Sequence, residues 1–134
     1  MTIVPWELCS ENSIEWVKFD ELFTLKSPVR SNVGVFLSKI LQFTFGTQHQ
    51  ENRLNLSGAV ICDVIAMACF LDPSVVIEKE LVHVEVELQS SLTRGQTVVD
   101  WGCYDGIKRS KNVKWVTKIN KDMLIRMLEK MCFV

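Results

Sequence analysis

Net charge is almost absent from this sequence. Lys and Arg number 15 against 16 Asp and Glu, which leaves −1 at pH 7. Without a basic excess there is no broad electrostatic footprint for nucleic acid or an anionic membrane. No two cysteines have C-x-x-C spacing. Cys9, Cys62, Cys69, Cys103 and Cys132 make an odd count, so neither a disulfide framework nor a structural zinc site is indicated. Most sit in apolar runs and read as small core residues, which suits a reducing, cytoplasmic compartment. A secretory leader is not visible, because Met1–Trp6 lacks a basic start and a sustained apolar stretch. The longest apolar run, Gly58–Leu71, is fourteen residues and contains Asp63, whereas a membrane span needs about 20. Also missing are G-x-S-x-G, H-E-x-x-H, P-loop and G-x-G-x-x-G signatures, internal repeats and linkers.

What is present is a globular composition: 48% hydrophobic and 23% charged over 134 residues, the size of one domain. Thr2–Trp6 reads as a short buried strand. Ser13–Phe23, with Ile14, Val17, Leu22 and Phe23, reads as a short helix. Ser27 and Pro28 supply a cap and a first turn for the next helix. Val29–Phe45 carries Val33, Phe36, Leu37, Ile40, Leu41 and Phe45 at helical spacing. Gly46–Ser57 is polar and reads as a surface loop. After it, the apolar run closes at Asp72-Pro73, since a proline disfavours helical geometry at the residue before it.

The period then changes. Val82, Val84, Val86 and Leu88 alternate with His83, Glu85 and Glu87, the pattern of a half-buried strand. Leu92–Gly95 is a turn and Gln96–Trp101 the returning strand of a β-hairpin. Val113–Ile119 is a further strand. Asn120 is placed to cap a last helix, Asp122–Cys132, with Met123, Leu124, Met127, Leu128 and Met131 as its buried stripe. Strands mixed with helices make the chain α/β.

Asp63 is the sharpest chemical feature. It is the only acid in its apolar run, and a buried unpaired carboxylate costs several kcal/mol. A bound cation would compensate it, since Ca²⁺ takes carboxylate oxygens. Alternatively, Asp63 caps a helix over Val64–Leu71. Cys62 beside it is either a polar contact for a ligand or a packed core thiol. His49 lies in the polar loop, as a substrate contact or a solvated side chain. His83, Glu85 and Glu87 share a strand face, either as a metal site or as a solvent-facing row. Trp6, Trp16, Trp101 and Trp115 are expected in or near the core.

Cys62–Ser74 (CDVIAMACFLDPS) resembles the nucleoside hydrolase pattern H-D-P-L-A-V-A-x-L-L-D-P-S. Val84–Glu87 followed by Leu92–Asp100 (LTRGQTVVD) is similar to that family's "V-x-V-E…L-T-R-G-x-T-V-V-D" hairpin. Thr2–Glu7 looks like the strand that opens its last third. The family is the inosine/uridine-preferring nucleoside hydrolases. The resemblance implies a single partial domain over 1–134, the C-terminal portion of a doubly wound α/β fold. It implies calcium-dependent hydrolysis of the N-glycosidic bond of ribonucleosides through an oxocarbenium-like transition state. Asp63 matches a calcium ligand. Cys62 matches the position of a histidine on the leaving-base side, and a thiol is the poorer proton donor there. The Phe43–Gln50 region matches the substrate-facing loop, with no residue assigned.

The family's D-x-D-x-G-x-D-D motif and its central ribose-gripping motif are not in this sequence. Asp63 supplies at most two of the six to eight oxygens calcium takes. The expectation is a ribonucleoside-binding chain that is weak or inactive alone. The alternative is a non-catalytic homologue that forms a homo-oligomer or associates with a full-length subunit or another protein. An unrelated α/β binding module is a third reading.

Overall fold

The computed structural model describes residues 1–23, 30–51, 57–103 and 105–133, with the side chains at 42–44 and 46–51 left out. The elements run β1 (Thr2–Ile3), α1 (Trp6–Glu11), β2 (Ile14–Glu15), α2 (Trp16–Phe23), α3 (Asn32–Glu51), β3 (Gly58–Ala59) and α4 (Cys62–Leu71). After a 3-10 turn (Pro73–Val75) come β4 (Val76–Val86), β5 (Thr97–Asp100), β6 (Val113–Ile119) and α5 (Lys121–Cys132). The α/β class, the hairpin and the final helix stand as the sequence predicts.

The main sheet has the order β1-β6-β4-β5, and a separate pair joins β2 to β3. β1 runs parallel to β6, while β4 is antiparallel to both β6 and β5. Strand β4 starts six residues before the alternating segment. Register shifts between Val76 and Lys79 break the period there, because each bulge turns successive side chains off their faces. Leu92–Gly95 turns as predicted, with Gly95 at φ +90°, a conformation that glycine adopts at no steric cost.

The core forms where α2, α4 and α5 meet the sheet: Phe19, Leu22, Phe23, Ile65, Val116, Leu124 and Leu128 are all buried. Asn120 caps α5 as expected, its Oδ1 accepting from the Met123 amide at 3.0 Å. A smaller cluster of Val82, Val84 and Val113 gathers Ile3, Val99 and Trp115 on the sheet.

Several expectations are corrected. Thr2–Trp6 is not a buried strand: β1 is two residues at the sheet edge, and Trp6 begins α1, largely exposed. Trp101 is exposed as well, whereas Trp16 and Trp115 pack against the two clusters. Residues 46–51 continue α3 and are not a loop. Their Gln and Glu residues are good helix formers, and one glycine costs only about 1 kcal/mol. Ser27 and Pro28 lie outside the described residues, and Ser31 caps α3, accepting from the Gly34 amide at 2.9 Å. Val33, Phe36 and Ile40 of the predicted α3 stripe are exposed, as is Val17 of α2. Leu37, Leu41 and Phe45 of the α3 stripe do pack on the core, and the packed side also carries Gly34 and the fully buried Ser38. Small residues there admit the end of α5, which a count of apolar positions does not register. Among the described residues, no helix is long and apolar enough to cross a membrane.

Candidate active site

The Cys62–Asp63 corner is positioned by what precedes it. β3 pairs with β2 so closely that a Cβ at Gly58 would strike the Ile14 backbone. The chain then enters α4 at Cys62, with Ile61 at the N-cap and no side-chain cap bond. Cys62 and Asp63 therefore occupy the first helical turn. Free backbone N–H groups and the helix dipole favour negative charge at such a position.

Asp63 is exposed. This corrects both structural expectations for it. Its carboxylate is not buried, because the apolar run folds as a helix whose Asp63 face is turned away from the core. Nor is it the cap, since the helix starts at Cys62, two residues earlier than predicted. It stands at the rim of a groove of about 570 Å³ lined by Leu37, Met67, Leu124, Met127 and Met131.

Cys62 is half-buried and packs on the core. Its inward neighbour is Cys9 of α1, a pairing that no local sequence pattern encodes. Burial, followed by the adjoining Cys62 thiol, pushes the Cys9 thiol up to about 12. Burial also raises Cys69. Cys9 and Cys69 are thus neutral packing groups behind the corner. Of the Phe43–Gln50 region only the Phe45 side chain is described, and it packs edge-on to Phe19 at 5.4 Å. His49 lies on α3, with its side chain outside the description.

Calcium takes six to eight oxygens. Among the described residues, no three His, Cys, Asp or Glu side chains converge on a metal position. Asp63 alone does not build a calcium site.

The second polar cluster lies on the hairpin. His83 Nε2 meets Glu85 Oε1 at 2.8 Å and Nδ1 meets the Ser110 carbonyl at 2.7 Å. Those contacts, Glu85 first, raise the His83 pKa. Glu87 is engaged locally: its carboxylate accepts from the Gln89 and Ser90 amides, which lowers its pKa. Arg109 bridges Asp100 at 3.1 Å and Asp105 at 2.6 Å. Each charge is spent on holding the hairpin and the 101–112 loop together. The expected row of His83, Glu85 and Glu87 is a set of local bonds, not a converging ligand set.

The description "Inosine-uridine preferring nucleoside hydrolase" belongs to a family model that matches residues 1–126. Two solved structures share the fold. An inosine-guanosine nucleoside hydrolase superposes with a TM-score of 0.71 at 24% identity, covering 99% of this chain and 39% of that one. A purine-preferring ribonucleoside hydrolase from Gardnerella vaginalis gives 0.70 at 16% identity, covering 97% and 38%. The chain thus spans about two fifths of the solved structures it matches. A search of curated proteins gives no match. With nearly its whole length matched by one model, the chain belongs to the inosine-uridine preferring nucleoside hydrolase family.

Proposed function

We propose that this chain contributes the Cys62–Asp63 corner of a site that hydrolyses the N-glycosidic bond of ribonucleosides. The observation that carries this reading is the exposed Asp63 carboxylate on the first turn of α4, in a chain matched by the nucleoside hydrolase model over residues 1–126. An exposed carboxylate accepts hydrogen bonds from sugar hydroxyls or from a water molecule. Cys62, half-buried beside it, contributes a thiol on the side assigned to the leaving base. In the overall reaction, water adds its oxygen to the anomeric carbon, the C–N bond breaks toward the base, and the base nitrogen leaves with a proton.

On this reading calcium belongs to the assembled site, with Asp63 as one of its ligands and the remaining oxygens coming from outside the described residues. The five free thiols suit a cytoplasmic setting on the same reading.

The test is ribose release from inosine and from uridine, with calcium, using this chain together with the part of a nucleoside hydrolase that it does not span. Ribose release that Asp63→Ala abolishes is expected. Release unchanged by Asp63→Ala sinks the assignment, and so does a formed complex that releases none.

A further inference from the structure

Two free thiols from separate helices meet behind the Cys62–Asp63 corner. Cys9 lies on α1 and is buried, only 1% exposed. Cys62 opens α4 and is half-buried. It reaches solvent on one side and packs on the other against the buried cluster that contains Cys9. The two side chains are hydrogen-bonding neighbours, and neither is in a disulfide.

Other thiols fit this place less well. Cys69 lies seven residues further along α4, two turns on and on the same face. A helical rise of 1.5 Å per residue sets Cys62 and Cys69 about 10 Å apart along the axis. A disulfide spans no more than about 7 Å between Cα atoms, so the two α4 thiols cannot join each other while the helix is intact. Cys9 can take only one of them. Cys62 is the one its side chain bonds, whereas Cys69 acts on it only through space. Cys132 is buried at the end of α5, against Gly34, and Cys103 is exposed on the 101–112 loop.

A sulfur that meets solvent, with a second sulfur buried directly behind it, is the arrangement in which an oxidised thiol is resolved as a disulfide. We propose that Cys62 and Cys9 form a reversible disulfide when the protein meets hydrogen peroxide, with Cys62 oxidised first and Cys9 resolving it. In the first step the Cys62 sulfur bonds to one peroxide oxygen and the O–O bond breaks. The departing hydroxide takes the thiol proton and leaves as water, and Cys62 becomes a sulfenic acid. In the second step the Cys9 sulfur bonds to the Cys62 sulfur, and the S–O bond breaks. That hydroxide leaves as water with the Cys9 proton. Two thiols and one peroxide thus give one disulfide and two waters, each sulfur having lost one electron. Burial keeps Cys9 protonated and out of the first step, and its proton departs only with the leaving hydroxide.

The link ties α1 to the start of α4 and occupies the sulfur next to Asp63. On the hydrolase reading above, it removes the Cys62 thiol from the leaving-base side. The linkage itself does not rest on that reading, because it is read from the covalent structure and not from ribose release.

The test treats the full reduced chain with hydrogen peroxide and then blocks its remaining thiols with iodoacetamide in urea. The monomer from a non-reducing gel is digested and fragmented in a mass spectrometer, so links between chains through Cys103 do not count. Cys9 joined to Cys62 is expected, with Cys69 and Cys132 carrying the block, and dithiothreitol should restore both thiols. Cys9→Ser and Cys62→Ser should each abolish the link within the chain, and Cys69→Ser should leave it. In Cys9→Ser the unresolved Cys62 should run on to the sulfinic acid. Circular dichroism checks that each variant is folded, and the fragmentation pattern of the unmutated chain decides where one is not. A monomer in which both Cys9 and Cys62 still take the block overturns the proposal. So does Cys9 joined to Cys69, and so does Cys62 oxidised to the sulfinic acid beside an intact Cys9 in the unmutated chain.

Discussion

Asn112 grips Val84 twice. Its Oδ1 accepts from the Val84 amide at 2.9 Å, and its Nδ2 donates to the Val84 carbonyl at 3.0 Å. Its own backbone amide donates to the Val82 carbonyl at 3.0 Å. Strand β6 begins only at Val113, so the Asn112 side chain continues the ladder one step past the strand. It holds β4 at the point where β4 turns from β6 to β5 as its partner.

Asn112→Ala removes both bonds. Asn112 is itself exposed, so water can reach the freed groups, and the net cost is about 0.5–1.5 kcal/mol. Urea unfolding should show that loss. Lys111→Ala, an exposed neighbour, should change stability by less than about 0.5 kcal/mol. Equal midpoints for the two variants would show that the side-chain ladder contributes nothing.

Gly34→Ala sets propensity against packing. In a helix interior alanine is better than glycine by about 1 kcal/mol. A Cβ at Gly34, however, would strike the Cys132 carbonyl oxygen and Cα, and backbone atoms do not yield cheaply. Ser31 ties the same two helix ends, donating from Oγ to the Met131 carbonyl and from its amide to the Cys132 carbonyl. Overpacking costs about 1–3 kcal/mol, so packing wins and the variant should be less stable by up to about 2 kcal/mol. A rise in melting temperature would refute the close approach of α3 and α5.

The hairpin should soften in acid and, separately, as pH rises past the ordinary histidine value of 6.5. Arg109 and the Ile107 amide hold the Asp105 carboxyl down to about 2, from an ordinary 3.8. The Cys103 amide and Arg109 lower Asp100. A depressed carboxyl stabilises above its unfolded value, and that stability is lost as pH falls toward the folded one. The expected loss therefore runs from about pH 4 to about pH 2. His83 is shifted the other way, raised from 6.5 by Glu85 and the Ser110 carbonyl. Its contribution is full below 6.5 and fades as pH rises through the folded value. Urea midpoints measured across pH should fall at both ends. Arg109→Met should flatten the acid limb and His83→Gln the other. Limbs unchanged in these variants would remove the network from the account.

Alternation and spacing made part of this fold legible in the sequence. The second half of β4 and the β4–β5 turn stand where the period-two run and Gly95 placed them, β6 stands at the predicted Val113–Ile119, and Asn120 marks the start of α5. The helical face of α3 was legible in part: Leu37, Leu41 and Phe45 pack on the core, but Val33, Phe36 and Ile40 do not, because the close approach to α5 is made at Gly34, beside the fully buried Ser38. At the site, residue type singled out Asp63 and the family motif gave it a role. Its exposure was not legible because the apolar run folds as a helix, and Asp63 falls on the face turned away from Ile65 and Ala68. The adjacency of Cys9 to Cys62 is tertiary, arising where α1 meets α4, and no local pattern encodes it.

Asp63 and Asn120 stand at the starts of two helices, and they should respond oppositely to mutation. Asn120 is a true cap, so Asn120→Ala should cost about 0.5–2 kcal/mol. Asp63 lies in the first turn of α4, two residues past the cap Ile61, and makes no side-chain cap bond. Its stabilising effect is that of an exposed charge near a helix dipole, at the low end of about 0.3–1 kcal/mol. Asp63→Asn should therefore unfold within about 0.5 kcal/mol of the parent protein. In the assembled hydrolase the order reverses: Asp63→Asn should abolish ribose release, while Asn120→Ala should leave it intact at temperatures where α5 is folded. An Asp63→Asn variant that loses as much stability as Asn120→Ala would make Asp63 a structural residue, and would withdraw the residue on which the proposed function rests.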